Sequence, residues 1–125
     1  MIALDASALL VFLFTEPGHT EVARRIGRCC MSAVNLAEVL GKLVERGVDP
    51  AVALRRLRAT TIEIVPFDAD QAARSAAFLP LTRPRGLSLA DRACLALAAG
   101  RGIPALTADR AWQDLDVGVD IQLVR

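Results

Sequence analysis

Short apolar runs alternate along this chain with longer stretches of helical period, and that alternation restricts the fold more than any other feature. Met1 to Leu4, Cys29 to Met31, Ile62 to Val65, Ile103 to Thr107 and Ile121 to Val124 are each the length of a strand. Between them the pattern predicts helices over Ala6 to Phe14, stopped before Pro17 and Gly18, and over Thr20 to Ile26. From Ser32 the apolar residues Leu36, Val39, Leu40, Leu43 and Val44 recur at i, i+3, i+4, i+7 and i+8 until Gly47. Asp49 followed by Pro50 starts a helix through Leu54 and Leu57 toward Thr60. Asp68 or Asp70 opens an Ala-rich helix closing near Pro80, and Leu81 to Leu87, with Arg83, Pro84, Arg85 and Gly86, reads as a loop. Ser88 caps a strongly apolar helix, Leu89 to Ala99, which Gly100 and Gly102 end. Strands alternating with helices imply βαβ units and a sheet covered on both faces. The expected fold is α/β, a three-layer α/β/α sandwich with a mainly parallel sheet of about five strands, in one domain spanning residues 1–125.

Composition fits that expectation and removes several classes of function. A chain of 125 residues, 54% apolar and 23% charged, has enough core to fold and too little charge to be disordered. The net charge of +1 gives no global electrostatic case for nucleic acid, although all but one of the 15 basic residues are Arg, which suits phosphate contacts. Cys29, Cys30 and Cys94 lack metal-type spacing and are too few for a disulfide framework, which points to a reducing cytoplasm. The apolar start lacks a basic leader and contains Asp5, and no uncharged run approaches the ~20 residues of a membrane span. A cytoplasmic protein without a membrane segment is expected.

Asp5 is the residue that needs explaining. It ends the first apolar run and is followed by Ala6, Ser7, Ala8, Leu9 and Leu10 without another charge. Burying an ionised carboxylate is costly unless it is paired, neutralised or metal-bound, and ligands bind at the carboxyl ends of parallel strands. Asp109 stands in the same relation to the run Ile103 to Thr107, although either acid also suits a helix cap. Asp91 follows Ser88 by three residues, the spacing of a capping box, yet its helix is apolar on nearly every face. Glu38 points away from the face of Leu36, Leu40 and Leu43, and Lys42 four residues on allows an exposed ion pair. Taken together, the four acids come from strand–helix junctions that a parallel sheet brings to one rim. Two unit charges at 4 Å repel by about 4 kcal/mol at an effective dielectric of 20. Oxygen-seeking Mg²⁺ or Mn²⁺ would relieve such a cluster.

Four stretches, IALDASAL from Ile2, SAVNLAEV from Ser32, LSLADRACLAL from Leu87 and LTADRAW from Leu106, occur in the order found in a known family. They resemble the PIN-domain ribonucleases, specifically the VapC-type toxins of bacterial and archaeal toxin–antitoxin pairs. The resemblance implies that Asp5, Glu38, Asp91 and Asp109 bind Mg²⁺ or Mn²⁺ and cleave RNA phosphodiesters by metal-assisted hydrolysis, leaving a 5′-phosphate and a 3′-hydroxyl. On this reading Asp5 and Asp91 hold the principal ion, and Glu38 and Asp109 complete the site or a weaker second one. The resemblance, not periodicity, is what selects Glu38. Ser7 and Thr107 match hydroxyl positions bordering the site, and Asp114 and Asp116 follow closely enough to assist Asp109. Arg83, Arg85, Arg92 and Arg110 are the expected contacts to the RNA backbone. The family also implies a homodimer and a cognate antitoxin protein whose C-terminal segment covers the acidic groove.

Other readings fit less well. A haloacid-dehalogenase-type phosphatase needs a second Asp where Ser7 stands, and a receiver domain needs an Asp where Pro66 follows the third strand and a Lys beyond Lys42. A non-catalytic PIN-like module that binds RNA or protein remains the alternative. His19, in a turn after Pro17 and Gly18, reads as solvent-exposed, and Trp112 as a packing residue.

Overall fold

In the computed structural model, which describes all of residues 1–125, five short parallel strands form one sheet. They are β1 (Ile2–Leu4), β2 (Cys29–Ser32), β3 (Glu63–Val65), β4 (Ala105–Thr107) and β5 (Ile121–Leu123), in the order β3-β2-β1-β4-β5. Ala3 pairs with Cys30 on one side and with Ala105 on the other, so β1 is central. The chain builds outward from β1 through β2 to β3, then crosses back and builds outward through β4 to β5. The order reverses between β1 and β4, and such a reversal opens a crevice at the carboxyl ends of the strands.

Seven helices connect the strands: α1 (Ala6–Leu13), α2 (His19–Arg25), α3 (Ala33–Glu45), α4 (Pro50–Arg58), α5 (Ala69–Ala77), α6 (Leu79–Thr82) and α7 (Leu89–Arg101). Their starts follow the sequence chemistry. Ser32 caps α3 by accepting from the Val34 N–H, Asp49 caps α4 with Pro50 in the first turn, and Asp68 rather than Asp70 caps α5. At α7 the Ser88 hydroxyl accepts from the Asp91 N–H at 3.2 Å while Asp91 Oδ2 accepts from the Ser88 N–H at 2.8 Å.

Alternation along the strands separates two cores. Leu4, Cys29, Met31 and Leu106 face α1 to α4 with Leu9, Leu36, Val39 and Leu57. Ala3, Cys30 and Ala105 face the other way, against Cys94, Leu95, Leu97 and Ala98 of α7 and against Phe78 and Trp112. This is the expected three-layer α/β/α sandwich. The alanines of β1 and β4 under α7 leave room for that helix to lie close to the sheet, so its apolar residues from Ala93 to Ala98 are buried.

The main local correction comes from the preference of proline for the first turn of a helical segment. The stretch expected as a loop, Leu81 to Leu87, instead continues α6 to Thr82 and adds a 3₁₀ turn over Arg83–Arg85, with Pro80 and Pro84 in the opening turns. Gly86, at φ +68°, then reverses the chain toward Ser88. Gly100 lies within α7, and Gly102 at φ +63° is the residue that stops it. β3 and β4 are shorter than their apolar runs, beginning at Glu63 and Ala105.

Ala105 has no exposure beneath α7, so Ala105→Leu should overpack that interface and cost about 1–3 kcal/mol of stability. Urea denaturation checks this, and a variant as stable as wild type would mean that α7 does not seat on the sheet as described.

Candidate active site

At the β1/β4 reversal the backbone N–H of Asp5 donates to the Leu106 carbonyl at 2.9 Å, which fixes the end of β1 against β4. Asp5 occupies the N-cap position of α1, but its carboxylate caps no helix N–H. It is directed instead into a hydroxyl network. Ser7 Oγ donates to Asp5 Oδ2 at 2.6 Å, and Thr107 Oγ1 donates to the same oxygen at 2.9 Å. Each hydroxyl in turn accepts a backbone N–H, from Ala108 to Ser7 at 3.0 Å and from Asp109 to Thr107 at 3.1 Å. Those N–H groups point both hydroxyl protons at Asp5, so the network favours its charged form.

That form is nevertheless strained. Asp5 is 2% exposed, and its pKa is raised to about 6, first by burial and then by the negative charges of Asp91 and Glu38, against the hydroxyl bonds that lower it. Glu38, on the exposed side of α3, is raised by desolvation and by Asp91, while Lys42 lowers it. Asp91 is raised by burial and by Asp109, against its bonds to Ser88 and the charge of Arg92. The charges of Glu38 and Asp91 thus reach Asp5, and that of Asp109 reaches Asp91. The exposed Glu–Lys pair is not formed, since Lys42 reaches Glu45 at 3.7 Å.

Capping does not use up these carboxylates. Asp91 closes its capping box through Oδ2, and Asp109 caps the following 3₁₀ turn by accepting from the Ala111 N–H through Oδ1 at 2.9 Å. Each keeps a second oxygen uncommitted, and neither oxygen of exposed Glu38 has a protein partner. As the side chains lie, no three of them converge into a ready cage. An all-carboxylate set offering single free oxygens fits a hard ion that retains several waters, as Mg²⁺ does. A thiolate-loving metal is disfavoured. Cys94, the nearby thiol, is buried and pushed well above its ordinary pKa by burial and by Asp5.

The arginines divide. Arg83 and Arg110 are exposed beside the rim. Arg85 donates to the carbonyls of Ala111, Gln113 and Asp114, so its guanidinium fastens the 83–85 turn to the 111–114 turn. Arg92 is half-buried, reaching the Leu87 carbonyl at 3.4 Å. Asp114, at φ +61°, and Asp116 are exposed in the turn beyond Asp109. His19 is half-buried as the first residue of α2, and Trp112 is fully buried.

Sequence reasoning assigned nothing to Asn35, which has no exposure and places Nδ2 2.9 Å from the Ala90 carbonyl and 3.5 Å from Asp5 Oδ1. The available signal was a polar residue one turn before Val39 on the apolar face of α3.

Residues 2–118 match the family described as PIN domain. No curated protein matches the chain in sequence. Among solved structures, one from a toxin–antitoxin complex of Klebsiella pneumoniae is similar with a TM-score of 0.77 at 17% identity, covering 100% of this chain and 98% of that one. DNA-bound VapBC from Salmonella typhimurium gives 0.72 at 18% identity, with 100% of both chains covered. The sarcin–ricin-loop-cleaving toxin VapC20 of Mycobacterium tuberculosis gives 0.72 at 23% identity, covering 96% of this chain and 99% of that one. At such identities the likeness is one of fold.

The raised pKa of Asp5 carries a pH dependence whose sign is fixed. Stability tied to neutral Asp5 is fully present below the unfolded value of 3.8 and is lost as pH rises through about 6. A gap of roughly two units corresponds to about 3 kcal/mol. Without divalent metal, urea denaturation should show wild type losing stability across this window relative to Asp5→Asn. Parallel pH profiles for the two proteins would contradict the assignment.

Proposed function

The chain belongs to the PIN-domain family, and from that membership we propose that it is a Mg²⁺- or Mn²⁺-dependent endoribonuclease acting as the toxin of a toxin–antitoxin pair. The observation that carries this reading is the buried Asp5 carboxylate at the β1/β4 reversal, with Asp91 and Glu38 near enough to raise it, and Asp109 near enough to raise Asp91. Asp5 and Asp91 hold the principal ion, and Glu38 and Asp109 complete the site or a weaker second one. When bound, the ion supplies Lewis acidity at the scissile phosphate and toward the attacking water.

The protein's own part is orientation and charge. Ser7 and Thr107 hold Asp5 Oδ2, which leaves Oδ1 as the oxygen presented to the rim. The capping bonds of Asp91 and Asp109 hold those side chains with one free oxygen each. Glu38 adds a longer, exposed side chain from α3. No side chain is assigned as nucleophile; the Ser7 hydroxyl, between the Asp5 carboxylate and the Ala108 N–H, is assigned to holding Asp5. Arg83 and Arg110 are the candidates for the RNA backbone, with Arg85 shaping the turn between them.

A single domain over residues 1–125, a cytoplasmic setting and a homodimer are parts of the same proposal. So is a cognate antitoxin, supported by solved toxin–antitoxin complexes of the same fold. Leu81 and Leu89, exposed on either side of the 83–85 turn, give a protein partner apolar surface next to the acids. No helix is long and apolar enough to cross a membrane.

Two measurements test this reading. Mn²⁺ should raise the melting temperature of wild type, by the equivalent of about 2.7 kcal/mol at a hundredfold excess over Kd, while K⁺ should not. Absence of a shift would favour the non-catalytic binding module. Induced expression followed by sequencing of RNA 5′ ends should show discrete cuts that vanish with Asp5→Asn. The loss of a direct ligand should exceed the roughly 10–100-fold typical of outer partners, and undiminished Mn²⁺-dependent cutting by that variant would refute the assignment.

A further inference from the structure

Asn35 touches the supports of three acids at once. It lies on α3 one turn before Glu38, its Nδ2 donates to the carbonyl of Ala90, the residue before Asp91, and the same nitrogen is 3.5 Å from Asp5 Oδ1. Its Oδ1 is buried without any donor. The reverse amide orientation would set Oδ1 against the Ala90 carbonyl, so the bond to Ala90 fixes which atom faces which.

A purely structural role accounts poorly for this residue. The Ala90 carbonyl lies in the first turn of α7, where the helix itself supplies a donor four residues on. Losing Asn35 would leave no carbonyl unpaired, and an apolar side chain of similar size would remove the orphaned Oδ1. Buried polar groups that break the satisfaction rule call for an explanation, and departures of this kind gather at functional sites. Of the two groups the amide donates to, the charged one is Asp5, at the oxygen that Ser7 and Thr107 leave free.

We infer that Asn35 is a positioning residue for the metal site, a donor that aims Asp5 Oδ1 and ties the helices carrying Glu38 and Asp91 to it. The inference rests on the reading of this rim as a divalent-metal nuclease site. With Ser7 and Thr107 holding Oδ2, the amide completes the control of the Asp5 carboxylate from both oxygens.

The test is Asn35→Leu, which keeps the branched shape and heavy-atom count of the side chain and removes both amide heteroatoms. Calorimetric titration with MnCl₂ on the folded, metal-stripped protein should show half-saturation raised about 10–100-fold, the range for lost partners of metal ligands. The metal-free melting temperature should be unchanged or higher, because an isosteric apolar replacement of an incompletely paired buried polar group is close to neutral. If the leucine variant does not fold, Asn35→Ser, too short to reach either partner, carries the same expectation for half-saturation. Ser75→Ala serves as the control, since Ser75 Oγ on α5 is also buried without a partner, and it should leave Mn²⁺ binding unchanged. Wild-type half-saturation in an Asn35 variant overturns the inference while leaving the nuclease reading intact. A wild-type chain that binds no Mn²⁺ overturns that reading and this inference with it.

Discussion

The carboxyl group of Asp5 is almost wholly removed from water at the end of the central strand, where Asp91 and Glu38 oppose its charge and the hydroxyls of Ser7 and Thr107 support it. Desolvation is the larger effect, since the net shift is upward despite two strong hydrogen bonds. Such a group is poor for stability and well suited to holding a cation, which relieves both the burial and the mutual repulsion. The surrounding structure maintains this position. The Asp5 N–H is pinned to Leu106, Thr107 reaches across from β4, and the amides of Ala108 and Asp109 orient the two hydroxyls.

Topology accounts for the company that Asp5 keeps. Because strand order reverses between β1 and β4, the segments leaving these strands diverge and open the rim between them. β4 delivers Thr107 and Asp109, α3 brings Glu38 after β2, and α7 brings Asp91 across the opposite face. The small residues Ala3 and Ala105 let α7 sit low on the sheet, and its capping box sets where its first turn, and hence Asp91, is held. At Asp91 and Asp109 the side chains are fixed by helix-capping bonds. One carboxylate oxygen serves the backbone while the other is left to the rim.

The strands, the helix caps and the conflict at Asp5 were legible in the sequence because each is set within a few residues: an apolar run, a Ser or Asp before a helix, a charge where the run stops. Glu38 was not legible in this way, since its helical phase points away from the apolar face and its link to Asp5 and Asp91 is through space. Asn35 lay inside a recognised stretch, yet its meaning depends on Ala90, 55 residues away. The turn at Arg83–Arg85 misled because proline and glycine mark both loops and the openings of short helical turns. For Arg85 the sequence suggested phosphate, and the structure adds bonds to the carbonyls of the 111–114 turn that no local pattern announced.

The central claim is that Asp5 is a buried carboxylate whose charge awaits a divalent cation. Titration of its side-chain carboxyl carbon by NMR, with and without Mg²⁺, addresses this most directly. The account predicts a midpoint near 6 in the metal-free protein and a downward displacement when Mg²⁺ is added. A midpoint in the ordinary aspartate range, unmoved by Mg²⁺, would contradict it.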